Sequence, residues 1–265
     1  MGKELIRLKR RKKIIAQMED FLERGDRVFI IHYSCESFYE KESSSRITSI
    51  AVRNLESGQT YSFSIHQIAE ERHINTECTR DYYDELEKVM LERFFCFVER
   101  NQNMSWVHWN MRDVNYGFAA IEHRYRVLGG RPICIDEQKK FDLSRALIDV
   151  YGVGYIGHPR LETLMNRNKI SKKDFLSGQE EAYAFEGKEY VKLHQSTLRK
   201  VDTLANIFER AVNKTLQVDS TWFEQNGYNK EVLVELICKH WVVSLIGLIT
   251  TIGGFITFLY NMVKV

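Results

Sequence analysis

Val28-Phe29-Ile30-Ile31-His32-Tyr33-Ser34-Cys35-Glu36 is the stretch on which the reading of this chain turns. Four consecutive apolar residues begin a buried strand. Alternation then places His32, Ser34 and Glu36 on one of its faces. Upstream, Gly25-Asp26 closes an amphipathic helix over residues 3–24, whose Leu5, Leu8, Ile14, Ile15, Met18, Phe21 and Leu22 lie near one side. Downstream, Ile47–Asn54 and Thr60–Ile65 read as two strands joined through Glu56-Ser57-Gly58-Gln59, a hairpin carried by Gly58 and the flanking alternation.

Further out, apolar spacing predicts helices over Asp81–Arg100, Tyr116–Leu128 (closed by Gly129-Gly130), Phe141–Val150, His158–Arg167, Ser171–Leu176 and within Leu193–Leu216. Short strands are expected at Ser105–His108 and Pro132–Ile135. No internal repeat or Gly/Ser linker interrupts this order, so residues 27–219 read as one α/β domain, with 220–240 as a connector.

The 265 residues are 44% hydrophobic and 28% charged, enough apolar content for a buried core and too much for a disordered chain. Lys and Arg total 38 against 36 Asp and Glu, so bulk charge points to no polyanionic partner. The positive charge is local. Arg10, Arg11, Lys12 and Lys13 sit in a basic run on the first helix that suits anionic lipid or a nucleic-acid backbone, or simply a solvated face. The five cysteines form no CxxC pair, which argues against zinc ribbons and a secreted disulfide framework. Walker, GxSxG, HExxH and GxGxxG patterns are all missing from the sequence.

Trp241 to Val263 contains no Asp, Glu, Lys or Arg, long enough for the roughly 30 Å of a bilayer core. With no apolar leader segment near Met1, the expectation is a transmembrane helix at 241–263 and a membrane localisation with the body in the cytosol. Ser244, Gly247, Thr251 and Gly254 form a small-residue stripe that could bring two such helices together as a homo-oligomer.

Strand, hairpin, helix, strand, helix and then a run of helices resembles a ribonuclease-H-like mixed sheet flanked by helices. More narrowly, residues 27–213 resemble the DEDD family of 3'–5' exonucleases. The family's opening Asp-x-Glu corresponds to Ser34-Cys35-Glu36, its Asn/Asp motif to Asn110-Met111-Arg112-Asp113, and its late helical Asp to Asp202. The resemblance implies a nuclease acting on RNA or DNA with Mg²⁺ or Mn²⁺ held by Glu36, Asp113 and Asp202. Two such ions about 3.5–4 Å apart stabilise the attacking and leaving oxygens of a phosphodiester, and hard cations take carboxylate oxygens. His108, Trp109 and Asn110, at a strand end, are the candidate nucleic-acid contacts, since aromatic faces stack on bases.

Ser34 departs from the family pattern, and a hydroxyl does not replace a bridging carboxylate. The general-base window before Asp202 holds Ser196, Thr197 and Leu198. Two expectations follow: a membrane-tethered nuclease, with bacterial antiphage defence as the role this architecture suggests, and a non-catalytic ribonuclease-H-like module that binds or senses a partner and acts through its membrane anchor. Glu180-Glu181 reads as a solvated acidic patch.

Overall fold

The computed structural model describes residues 3–36, 45–74, 81–226, 245, 248–256 and 262. Every residue of β1 (Val28–Cys35) is buried, because both faces of this central strand are covered. It pairs antiparallel with β2 (Ile47–Asn54), which pairs antiparallel with β3 (Thr60–Ser64). On its other side β1 runs parallel to β4 (Ser105–His108), and β4 parallel to β5 (Lys140–Asp142). The sheet order is therefore β3-β2-β1-β4-β5.

Alternation along β1 divides the interior in two. Phe29, Ile31, Tyr33 and Cys35 join the core under α2 (Ile65–Glu71), α3 (Tyr83–Arg100) and α4 (Phe118–Val127). Val28 and Ile30 join the opposite core, with Met18 and Phe21 of α1 (Lys3–Glu23), α5 (Leu143–Tyr151) and α8 (Tyr190–Val212). Each fully buried Ile, Leu or Phe contributes about 1.5–3 kcal/mol, and the sheet collects that contribution on both faces. The same parity carries His32 and Ser34 onto the α8 side. A register shift between Ser34 and Cys35 bends the end of β1, where Thr48 Oγ1 donates to the Ser34 carbonyl at 3.0 Å.

Four local expectations are corrected. Pro132–Ile135 is irregular rather than a strand: Pro132 has no N–H to donate, and the β4 edge is taken by Lys140–Asp142. The helix expected from Phe141 starts at Leu143, where the Asp142 side chain accepts from the Arg145 N–H. Ser171–Leu176 forms turn and coil. The helix there is α7 (Gly178–Glu186), started by a capping box in which Ser177 and Glu180 bond each other's backbone N–H. Finally, β3 ends at Ser64 and runs straight into α2, which the alternation did not signal. Two further short helices are α6 (Arg160–Arg167) and α9 (Trp222–Asn226).

The expected transmembrane helix is also corrected: among the described residues no helix is long and apolar enough to cross a membrane. Membrane localisation loses its basis with it. Residues 248–256 are helical, with Leu248, Ile249, Ile252, Phe255 and Ile256 exposed. Residues 241–244, 246–247, 257–261 and 263, and with them Ser244 and Gly247 of the small-residue stripe, lie outside the described residues, as does 227–240 of the connector.

Candidate functional site

At the carboxyl end of β1 a cavity of ~660 Å³ opens between the sheet, α7 and α8. Tyr33, Tyr116, Tyr183, Glu36, Gln179 and Lys200 form much of its wall. Its floor is an ion pair. Lys200 Nζ of α8 lies 2.6 Å from Glu181 Oε1 of α7, with side chains only 7% and 13% exposed. Ser34 Oγ and Ser196 Oγ donate to the same carboxylate oxygen at 3.0 and 3.1 Å. Thr197 Oγ1 sits 2.8 Å from Ser34 Oγ and 2.6 Å from Ser49 Oγ, and donates to the Leu193 carbonyl at 2.9 Å. The ammonium also faces the Phe175 ring at 5.3 Å. Charge, hydroxyls and aromatic face thus meet the desolvation that a buried pair demands.

His32, Cys35, Tyr33 and Tyr116, around the pair, are held neutral. Burial, and then the nearby Lys200 charge, push the His32 imidazole well below its ordinary range. Burial raises the Cys35 thiol well above its usual value, and the Glu181 charge adds to the shift, so it is no ready nucleophile. Tyr33 and Tyr116 are likewise raised by burial. Their rings stack at 4.7 Å, and the Tyr33 hydroxyl accepts from the Gly117 N–H at 2.9 Å. Tyr183, 67% exposed, stands at the rim. Such a wall can hold a flat ring and offer it a few hydrogen bonds.

The expected metal ligands are not brought together. Glu36 is buried and lines the cavity. Asp202 lies on the exposed side of α8, paired with Arg53 at 3.1 Å. Arg53 is four residues along β2 from Ser49, roughly 13 Å at about 3.3 Å per residue. Asp113 is exposed in the loop after β4, where its carboxylate accepts from the Asn115 N–H at 2.8 Å. Among the described residues no group of three His, Cys, Asp or Glu side chains could hold a metal ion. The donor set that the resemblance implies for Mg²⁺ or Mn²⁺ does not fit this face: Ser34 replaces one carboxylate, and Lys200 brings a positive charge where a cation would sit.

His108, Trp109 and Asn110 do not form a surface together. His108 is buried, accepts at Nδ1 from the Met111 N–H at 3.1 Å, and is lowered by burial to about 4. Trp109 packs partly buried against the α5 side of the core, and only Asn110, at φ 58°, is exposed. On α1, Arg10, Lys12 and Lys13 are exposed, but Arg11 donates to the Val150 carbonyl at 3.0 Å and ties the helix to the end of α5.

Glu181, Lys200, Ser49, Thr197 and Tyr183 were not anticipated. Lys200 did carry a signal: it falls between Thr197 and Leu204 on the apolar stripe of its helix, where a charge is buried only with a partner. No family model, no curated protein and no solved structure matches this chain.

Proposed function

We propose that this chain is a non-catalytic ribonuclease-H-like module that binds a nucleobase-bearing ligand, single-stranded RNA or DNA, in the cavity at the end of β1. The observation that carries the reading is the Lys200–Glu181 pair within its shell of Ser34, Ser196 and Thr197. A buried ammonium repels divalent cations and already neutralises the nearest carboxylate, so this face favours recognition over phosphodiester cleavage. Support for the fold comes from the antiparallel β1-β2-β3 meander followed by parallel β4 and β5. Support for the ligand comes from the tyrosine wall and a volume within the usual range for small-ligand sites.

The test is fluorescence anisotropy with labelled single-stranded oligonucleotides, run beside a cleavage assay in Mg²⁺ or Mn²⁺. The expected result is binding without cleavage, weakened about tenfold in Tyr183→Ala, since one stacked base contributes about 1–3 kcal/mol. Metal-dependent cleavage abolished by Glu36→Gln or Asp202→Asn would restore the nuclease reading. Failure of every oligonucleotide to bind would retire the ligand assignment.

A further inference from the structure

We infer that His66 on α2 and His194 on α8 form a two-histidine site for a transition-metal ion such as Zn²⁺, Cu²⁺ or Ni²⁺, separate from the tyrosine-lined cavity. The two rings lie 5.0 Å apart between centroids, inclined by 56°. They are only 8% and 6% exposed, and the Nδ1 atom of each is buried with no hydrogen-bond partner. Buried polar atoms are normally hydrogen-bonded, and two unpaired ring nitrogens side by side require an explanation. A hydrogen bond between the rings would satisfy both, yet none forms.

An ion satisfies them instead. Two imidazoles that share a metal at about 2.1 Å from each nitrogen have centroids no more than roughly 6.5 Å apart, and the observed separation lies inside that limit. The helices that carry the two rings are anchored in the core. Ile65, Ile68 and Ala69 anchor α2 in the core, while Leu193 and Thr197 fix the first turns of α8. Neutral imidazole, with a free lone pair on one ring nitrogen, is the ligating form. Glu70, one helical turn beyond His66, opposes the lowering of His66 by burial and would attract a cation to the pair. Imidazole donors select borderline metals and not Mg²⁺ or Ca²⁺. The remaining coordination positions fall to water.

The experiment titrates the whole 265-residue chain with Cu²⁺, Zn²⁺ or Ni²⁺ alone. One ion per chain is expected at the tight site, with electron paramagnetic resonance of the Cu²⁺ form showing coupling to two nitrogens. His66→Gln and His194→Gln should each weaken binding at least tenfold and remove one nitrogen from the spectrum. Wild type supplies a check that needs no variant: one equivalent of Zn²⁺ should shift the side-chain resonances of two histidines. A tight site unchanged in both variants overturns the inference, and so does a wild-type spectrum in which no histidine pair responds.

Discussion

Replacing Lys200 by Met tests the ion pair on which the functional reading rests. The substitution keeps the length of the side chain and removes only the ammonium, leaving the Glu181 carboxylate without its counter-charge. Breaking a buried pair from one side costs about 3–5 kcal/mol. Ser34 and Ser196 continue to donate to Glu181, which places this case at the lower end, about 3 kcal/mol. That is a loss of roughly a hundredfold in the folding constant, because about 1.4 kcal/mol corresponds to tenfold. For a domain of this size the midpoint should fall by about 6–12 °C. Glu181→Leu, which strands the ammonium instead, should cost a similar amount. The double variant Lys200→Met/Glu181→Leu should recover most of the loss, since a matched apolar pair no longer carries the desolvation of either charge. Urea unfolding followed by circular dichroism gives the four corners of the cycle. Single losses below about 1 kcal/mol, or a double variant as unstable as the sum of its parents, would refute the claim that these two charges depend on each other.

Acid should unfold the chain through its buried histidines. His108 and His194 are held at about 4 in the folded protein against 6.5 in the unfolded chain, so the unfolded state binds more protons between those values. Stability is therefore complete above pH 6.5 and is lost as pH falls towards 4, at roughly 1.4 kcal/mol per pH unit for each histidine; a flat profile from pH 7 to 5 in urea titrations would contradict it. Gly117→Ala should destabilise by about 1–3 kcal/mol, because a Cβ there would meet the Met111 carbonyl carbon and oxygen at 2.7 Å; a variant with wild-type stability in the same titration would show that this loop has room to shift. On α1, the triple change Arg10, Lys12 and Lys13 to Gln should alter stability by no more than about 0.5 kcal/mol. Arg7→Ala should cost about 1–3 kcal/mol, since it removes hydrogen bonds to the Glu224 and Asp149 carbonyls.

Much of the sheet was legible in the sequence because strand periodicity is a local property. Val28–Cys35, Ile47–Asn54 and Thr60–Ser64 each declare themselves through β-branched and aromatic residues within a single stretch, and Gly58 marks the reversal between two of them. The long helix within Leu193–Leu216, observed as Tyr190–Val212, was visible for the same reason, through the spacing of Leu198, Val201, Leu204, Ala205 and Phe208. That spacing also decides which polar side chain of the helix turns inward. Asp202, one residue past Val201, is rotated by about 100° from it to the exposed side, whereas Lys200 stays on the buried stripe.

Chemistry was harder to read because it depends on distance in space. Glu181 and Lys200 are nineteen positions apart, on helices whose approach is set by packing against β1, so one residue of an acidic pair that looks solvated in sequence becomes the buried half of an ion pair. The β5 pairing followed the same logic: Lys140–Asp142 is too short to announce a strand, and it became one because β4 offered a parallel edge. Composition and periodicity determined that this chain builds one α/β domain of strands and helices. Only the tertiary structure decided that the end of β1 holds an ammonium and a tyrosine-lined cavity, because desolvation depends on what surrounds a side chain and not on its neighbours in sequence.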